Sequence, residues 1–356
     1  MKIKDFIDYE QPTDYIVESD RYSDEYRTPV LTAGQSFILG YTNEKEGIYN
    51  KCPCIIFDDF TTSVHYVDFP FKVKSSAMKI LTSKHNANLK YCYYLLLSLS
   101  KMPPNHKRQW ISTTSEKKHF LPSIDNQVSI VKQLDLVSDI ISHYTMQINY
   151  LDNLIKARFV EMFGNPFENP YELPEATLPD LGEFGRGVSK HRPRNDPKLL
   201  GGDYPLIQTG DVADLYISSY NATYSDLGLE QSKMWDKGTL CITIAANIAK
   251  TAIFEFDSCF PDSVVGFVAN DKTSNIFIHY WFSFFQGILE SQAPESAQKN
   301  INLKILSELK VIVPPIELQN EFVFFVKQID KSKLAVQKSL EKTQQLFDSL
   351  MQEYFG

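Results

Sequence analysis

Two long stretches of the chain carry apolar side chains at alternating steps of three and four residues. The repeating positions of the first stretch, residues 127–163, are Leu134, Val137, Ile141, Tyr144, Ile148, Leu151 and Ile155. In the same register, the second stretch has Val326, Ile329, Lys333, Val336, Leu340, Thr343 and Phe347. This period is that of a coiled-coil seam, and it predicts two helices of about 37 residues, roughly 55 Å each. Helices of this kind need a packing partner, so we expect an antiparallel pair within the chain, with a dimerisation device as the alternative.

The two stretches begin and end alike. Residues 121–127 (LPSIDNQ) open the first and residues 313–319 (VPPIELQ) open the second, and Phe-Gly pairs close them at 163–164 and 355–356. Both ends are offset by 192 residues, so the copies have the same length. A repeated module with a spacer helix predicts the order head, helix, head, helix.

The regions before the helices also match. Residues 28–34 (TPVLTAG) align without a gap with residues 204–210 (YPLIQTG), and an apolar segment follows in each copy at 89–99 and 276–289. We therefore predict mixed helix and strand (α+β) heads in four regions. The predicted regions are a first head at 1–122, a first spacer helix at 123–164, a second head at 165–314 and a second spacer helix at 315–356.

Composition predicts a two-domain globular protein of the cytoplasm. The chain has 356 residues, of which 43% are hydrophobic and 22% charged, and His279, Ser283 and Gln286 interrupt the most apolar run. No run is therefore long enough to span a bilayer. The first residues lack the apolar core of a signal peptide, and five cysteines without a CxxC pair indicate a reducing compartment.

The net charge of −8 argues at first against a nucleic-acid partner. Local charge matters more, however, because salt screens phosphates beyond about 8–10 Å. Residues 185–195 (GRGVSKHRPRN) place Arg186, Lys190, Arg192 and Arg194, with His191 among them, in a predicted loop rich in glycine and proline, where side chains are free to reach a ligand. A solvated surface turn is the alternative, but we favour contact with DNA phosphates and base edges.

Four motifs in order resemble the specificity (S) subunits of type I restriction-modification systems, across essentially the whole chain. The motifs are residues 204–212 (YPLIQTGDV), 237–240 (KGTL), 297–301 (AQKNI) and 313–319 (VPPIELQ). The resemblance implies two target recognition domains that each read half of a split sequence in double-stranded DNA, with two helices between them as a ruler. The first head departs from the pattern, because residues 107–110 (KRQW) replace the usual small-residue and asparagine run.

The resemblance also implies partners. The helices would dock methyltransferase (M) subunits, expected to be two, through which restriction (R) subunits join. The assembly would be an endonuclease and adenine methyltransferase, with S-adenosylmethionine, ATP and Mg bound by the partner subunits. This chain itself is expected to have no catalytic residues, no metal and no cofactor.

Further DNA-contact candidates lie in both heads. In the second head they are Gln208, Thr209, Asn247 and Lys250, joined by Gln298, Lys299 and Asn300 on the strength of the resemblance. In the first head they are Lys107, Arg108 and Gln109, with Lys51, Thr61 and Thr62 behind them. Turns that satisfy their own backbone are the alternative at 208–211 and 245–250. Trp110 is predicted to be a core residue.

Three other functional interpretations fit the sequence less well. A DNA methyltransferase is disfavoured, because the glycines of residues 184–187 (FGRG) run into residues 190–193 (KHRP) rather than a helix, and no phosphate-binding Gly-x-x-x-x-Gly-Lys-Ser/Thr loop is present. Asp58 and Asp59 lack the Glu-x-Lys companion of a nuclease and are better explained as a strand-edge turn. A coiled-coil scaffold with two protein-binding heads explains the helices and the acidity, but not the basic loop.

Overall fold

The computed structural model describes residues 1–32, 36–84, 86–100, 107–166, 168–213, 215–245, 248–292 and 303–356. The chain forms two compact units. Unit 1 consists of residues 1–146 and 337–356, and unit 2 consists of residues 147–336. Each unit therefore contains one head and one segment from each of the two long helices.

The described residues of the first head form seven strands and one substantial helix. In chain order its elements are α1 (Ile3–Phe6), β1 (Ile7–Glu10), β2 (Thr28–Leu31), β3 (Ile38–Thr42), β4 (Cys54–Asp58), β5 (Val64–Val67), β6 (Lys72–Val73), β7 (Met78–Ser83) and α2 (Leu89–Leu99). One sheet has the order β1-β7-β4-β5 and is antiparallel throughout. The other has the order β3-β2-β6, in which β2 runs antiparallel to β3 and parallel to β6.

The first long helix, α3 (Ile124–Phe163), leads into unit 2. The head of unit 2 contains β8 (Glu175–Thr177), α4 (Leu178–Leu181), β9 (Gly182–Arg186), β10 (Leu200–Leu206), β11 (Tyr216–Ile217), β12 (Ala222–Tyr224), α5 (Asp226–Glu230), β13 (Met234–Trp235), β14 (Leu240–Thr243), β15 (Thr251–Phe254), β16 (Ser258–Cys259), β17 (Val264–Ala269), α6 (Asn275–Gln292), α7 (Leu303–Glu308) and β18 (Lys310–Ile312). The second long helix, α8 (Ile316–Phe355), follows. The sheets have the orders β11-β15-β14-β17-β9, β12-β10-β16-β13 and β18-β8.

The two heads share one topology. The strand order β1-β7-β4-β5 in unit 1 corresponds to β9-β17-β14-β15 in unit 2, and β3-β2-β6 corresponds to β12-β10-β16. Even the mixed pairing is repeated, because β2 is parallel to β6 and β10 is parallel to β16. The repeated sequence segments begin on β2 and β10, and each of these strands lies between an antiparallel and a parallel neighbour. The sequence repeat is thus a repeat of structure.

The long helices run antiparallel within each unit. In unit 1, Leu134 of α3 shares an apolar cluster with Phe347 and Leu350 of α8, and the Tyr354 hydroxyl donates to Gln133 Oε1 at 3.1 Å. In unit 2, the other half of α3 packs the ring of Phe159 against that of Phe322 with 5.4 Å between centroids. The predicted mixed fold class, with two heads and an antiparallel helical pair, is confirmed.

The predicted seam positions lie on the covered side of both long helices. Leu134, Val137, Ile155 and Val326 are buried, and the other predicted seam positions of both helices are partly buried. Lys333, which interrupts the apolar pattern, places its Nζ 2.6 Å from Asp152 Oδ1 on the facing helix. The lysine therefore supplies an ion pair between the helices of unit 2.

The apolar segment that follows the last large strand of unit 2 forms a helix inside the head. Phe277, Ile278, Trp281 and Phe282 of α6 are fully buried in the core of this unit. Burial against the sheet and the long helices explains the run of apolar side chains. Within the described ranges, no helix combines the length and the apolar character that crossing a bilayer requires.

Candidate nucleic-acid interface

The basic loop of unit 2 begins later in the chain than the sequence suggested. Gly185 and Arg186 belong to β9 and pair with β17, so the loop starts at Gly187. Gly187 has no room for a Cβ, which would collide with the carbonyl oxygens of Phe260 and Pro261. This close approach brings the basic loop alongside the residues that precede β17.

Two arginines of the loop share one carboxylate. Arg192 lies 3.2 Å from Asp262 Oδ2, and Arg194 forms an ion pair with Oδ1 of the same residue. Arg192 also donates to the carbonyl oxygens of Ser189 at 2.6 Å and His191 at 2.8 Å. The prediction of free side chains needs correction here: both arginines are about half exposed, but Asp262 holds them in place.

Further polar contacts hold the rest of the loop. The backbone N–H of Lys190 donates to the Gln231 carbonyl at 3.3 Å, and His191 Nε2 lies 3.1 Å from Asp196 Oδ2. Hydrogen bonds from the Lys198 amide and from His191 hold the pKa of Asp196 below its ordinary value. These hydrogen bonds hold the backbone of the loop and so define where its cations lie.

A cleft of about 260 Å³ joins two of the predicted DNA-contact segments. Arg194 and Asn195 line it from the basic loop, and Gln208 and Thr209 line it from the end of β10. Its apolar lining comes from Leu200, Leu206, Tyr224 and Pro261. Guanidinium and amide groups around one concavity can read guanine and adenine edges by paired hydrogen bonds.

The turn after β10 forms hydrogen bonds within itself, as one of the two interpretations of the sequence predicted. The Gln208 amide donates to Asp211 Oδ2 at 2.8 Å, and residues 209–211 form a single 3₁₀ turn. The turn satisfies its backbone while the side chain of Gln208 remains exposed. Both interpretations of this segment are therefore compatible: the turn is structural and its side chain faces the cleft.

The remaining candidates of unit 2 are only partly covered by the structure. Lys250 is half-buried at the end of the segment that joins β14 to β15, where its amide donates to Thr243 Oγ1 at 3.1 Å. Asn247, Gln298, Lys299 and Asn300 lie outside the described residues.

In unit 1 the basic segment and the threonine turn meet at two aspartates. Asp58 Oδ1 accepts from the amides of Phe60 and Thr61, at 2.6 and 2.8 Å. Asp59 Oδ1 accepts from the amides of Gln109 and Trp110, at 3.0 and 2.7 Å. These carboxylates therefore organise a strand-edge turn, as the sequence predicted.

The candidates of the first head differ in exposure. Lys107 and Arg108 are exposed beside the turn, Gln109 and Thr61 are partly exposed, and Thr62 is buried with a left-handed backbone. Lys51 lies on another segment, with its Nζ 3.6 Å from Glu10. Trp110 is fully buried against Phe57, as predicted for a core residue.

Sequence reasoning missed the residues that position these segments. Asp262 belongs to no recognisable sequence motif, and its partner arginines are about 70 residues away in the chain. Lys79, which lies 3.1 Å from Asp59, sits among apolar residues of β7 and has no pattern of its own. Among the described residues, no group of three or more His, Cys, Asp or Glu side chains could hold a metal ion.

Comparison with known proteins points to the same family as the sequence motifs. A family model described as the type I restriction modification DNA specificity domain matches residues 172–346. The specificity subunit of the type I restriction enzyme EcoR124I/EcoR124II from Escherichia coli is 31% identical over 369 residues, which cover 94% of this chain and 87% of that protein. The chain belongs to the specificity subunits of type I restriction enzymes. The resemblance predicted from four motifs is thereby confirmed, and so is the function of a specificity subunit.

Other members of the family are more distant in sequence. A putative type I restriction enzyme MjaX specificity subunit from Methanocaldococcus jannaschii is 24% identical over 302 residues, covering 76% of this chain and 70% of that protein. The crystal structure of the S subunit from M. genitalium matches with a TM-score of 0.62 at 16% identity, over 100% of this chain and 95% of that chain. A chain from a structure of type I R-M complex assembly matches with a TM-score of 0.54 at 15% identity, over 98% of this chain and 97% of that chain. These structures show that the specificity-subunit fold is shared.

Proposed function

We propose that this specificity subunit reads a split target in double-stranded DNA, one half-site per head. The observation that carries the proposal is the repeated head topology. Each head also presents a basic segment beside a turn, although the basic segment follows α2 in unit 1 and β9 in unit 2. In unit 2 that segment also lines the cleft shared by Arg194 and Gln208. Arginine and glutamine are side chains that form paired hydrogen bonds with base edges in the major groove.

The long helices supply the ruler in this proposal. Each has 40 residues and is therefore about 60 Å long at about 1.5 Å per residue. Half-sites on one face of B-DNA recur every 34–36 Å or so. A pair of helices of this length is proposed to set a fixed number of unread bases between the two half-sites.

The same helices are proposed to dock two methyltransferase (M) subunits, through which restriction (R) subunits join. Large apolar side chains remain exposed along α3, among them Leu136 (62%), Ile140 (37%), Tyr150 (69%) and Leu154 (47%). Exposed apolar residues repeated along one helix are typical of a protein-binding face. In this proposal the subunit is not itself catalytic, and S-adenosylmethionine, ATP and Mg bind to the partner subunits.

Long-read methylation mapping of a host genome tests the proposal. The comparison is between a strain with this gene intact and a strain with it deleted, with the partner methyltransferase expressed in both. Loss of one motif, made of two short half-sites around a fixed run of unread bases, would establish the role and name the target. An unchanged methylome would favour a coiled-coil scaffold without a DNA role.

A further inference from the structure

A buried glutamine occupies the same place at the start of both long helices. Gln127 is the fourth residue of α3 and Gln319 is the fourth residue of α8, and the side chains of both are fully buried. A buried primary amide is costly unless its donors and acceptor are satisfied. Both amides are satisfied, and they are satisfied in corresponding ways.

In unit 1 the amide of Gln127 joins the start of α3 to the start of α2. Its Nε2 donates to the carbonyl oxygen of Pro122 at 2.8 Å and to that of Asn86 at 3.0 Å. Its Oε1 accepts from the backbone N–H of Asn88 at 2.8 Å. Asn88 is the N-cap of α2, so the amide connects the turn before the spacer helix with the turn before the helix of the head.

In unit 2 the amide of Gln319 makes the corresponding connection. Its Nε2 donates to the carbonyl oxygen of Pro314 at 2.9 Å and to that of Lys272 at 3.0 Å. Its Oε1 accepts from the Thr273 hydroxyl at 3.0 Å. Pro122 and Pro314 are both five residues before the glutamine, and Asn86 and Lys272 are both two residues before the residue that caps the head helix.

Apolar packing alone would not fix the angle between the spacer helix and the helix of the head. In unit 1, α2 and α3 meet through Tyr91, Tyr94, Val131 and Leu134, and such contacts are non-directional. Three hydrogen bonds from one planar amide fix both the distance and the angle between the turns that precede the two helices. An apolar residue of similar volume would fill the space without fixing the angle.

We propose that Gln127 and Gln319 are positioning residues that set the orientation of each head on its spacer helix. Each thereby restricts the number of unread bases that the subunit accepts between its half-sites. This inference rests on the proposed function, because it gives the orientation of the heads a consequence for DNA recognition. The amides touch no DNA and act through the helices that they join.

Substitution of one glutamine at a time, in the host with its methyltransferase partner, tests the inference. Gln127→Met and Gln319→Met keep an unbranched side chain of similar length but remove all three hydrogen bonds. The matched controls are Asn126→Ala and Asn320→Ala, which alter an exposed amide next to each buried one. The readout is the methylated fraction at sites with the native spacer and at sites with one base more or fewer.

We expect the methionine variants to keep both half-sites but to discriminate between spacers at least about tenfold less well, because one buried hydrogen bond corresponds to about tenfold and each variant loses three. The alanine controls should keep the discrimination of the wild-type subunit. If methylation falls at all spacers in parallel, the glutamines only stabilise the fold and the inference is wrong. If the wild-type subunit itself directs no split motif, the proposed function fails, which is a different result.

A milder variant covers the case in which Gln319→Met does not fold. Thr273→Val keeps the shape of a buried side chain and removes only the hydroxyl that donates to Gln319 Oε1. The inference requires partial loss of spacer discrimination in this variant too. Wild-type discrimination in a folded Thr273→Val subunit would overturn it.

Discussion

Lys79 and Asp59 form an ion pair inside unit 1, with 3.1 Å between Nζ and Oδ2 and neither side chain exposed by more than 1%. The other oxygen of Asp59 holds the amides of Gln109 and Trp110. One buried carboxylate therefore connects strand β7 to the segment that presents Lys107 and Arg108. The ion pair has a role in the first head similar to that of Asp262 in the second, since both carboxylates fix a basic segment.

Lys79→Met should lower the free energy of unfolding of unit 1 by about 3–5 kcal/mol, because it leaves a buried carboxylate without its cation. Hydrogen exchange of the β4 and β7 amides measures this decrease. The control is Lys45→Met, since Lys45 is exposed in the same unit. Equal protection in the two variants would mean that the ion pair contributes no net stability.

The alanine double variant of Arg192 and Arg194 should bind DNA more weakly and with a flatter salt dependence. Each phosphate that the protein no longer neutralises lowers the slope of log affinity against log salt concentration by about 0.9, so we expect a decrease of about 1–2. Titrations of the complex with its target DNA at several salt concentrations measure the slope. An unchanged slope would place this loop away from the DNA.

Asp262→Asn should act in the opposite direction on the same loop. It removes the negative charge that both arginines share, so non-specific affinity should rise several-fold and the salt slope should steepen. Lys331→Ala, which removes an exposed cation from α8, serves as the charge control for both experiments. A weaker non-specific affinity in Asp262→Asn would show that the carboxylate mainly supports the fold of the loop.

Shortening both long helices should change the unread spacer and leave the half-sites unaltered. Removing one heptad from residues 134–155 and one from residues 326–347 shortens each helix by about 10 Å, at about 1.5 Å per residue. This length corresponds to about three base pairs of B-DNA at about 3.4 Å each. Methylation mapping reads the new spacer directly. The same spacer before and after deletion would contradict the role of the helices as a ruler.

His279 should make the stability of unit 2 depend on pH. Burial, with a smaller contribution from nearby Lys333, lowers the pKa of His279 to about 4 from an ordinary 6.5. Above pH 6.5 the imidazole is neutral in both the folded and the unfolded state. As the pH falls from 6.5 towards 4, only the unfolded state takes up the proton, and unit 2 should lose about 3 kcal/mol of stability.

His279→Gln should remove this part of the pH dependence. Denaturant unfolding of unit 2 is monitored by hydrogen exchange of the β14 and β17 amides. Measurements at pH 7 and at pH 4.5 give the free energy of unfolding at each pH. His143→Gln, a change at an exposed histidine of α3, is the control. If both variants lose stability on acidification as much as the wild type does, other groups account for the effect.

Much of the fold followed from local pattern. The alternating three- and four-residue steps predicted α3 and α8, and the apolar segment at 89–99 coincides with α2. The matched segments on β2 and β10 predicted two similar heads, and the strand orders repeat accordingly. These features are readable because helical periodicity and duplication are properties of the sequence itself.

The geometry of the candidate sites was less accessible. The sequence located the basic loop at 185–195, but placed Arg186 in the loop rather than on β9 and left the arginines without a partner. Asp262 follows residues 260 and 261, which pack closely against Gly187 at the start of the basic loop, a contact between distant parts of the chain. No local sequence pattern predicts which carboxylate will form an ion pair with a given cation.

The sequence by itself determined the two helices, the duplication, the family and the segments that carry charge. Tertiary structure alone decided which charged and polar groups are paired: Asp59 with Lys79, Asp262 with two arginines, and Gln127 and Gln319 with the turns before the head helices. The physical reason is that periodicity depends on neighbours three or four residues apart. Ion pairs and buried amides depend on residues brought together from far along the chain, where burial makes each unsatisfied group costly.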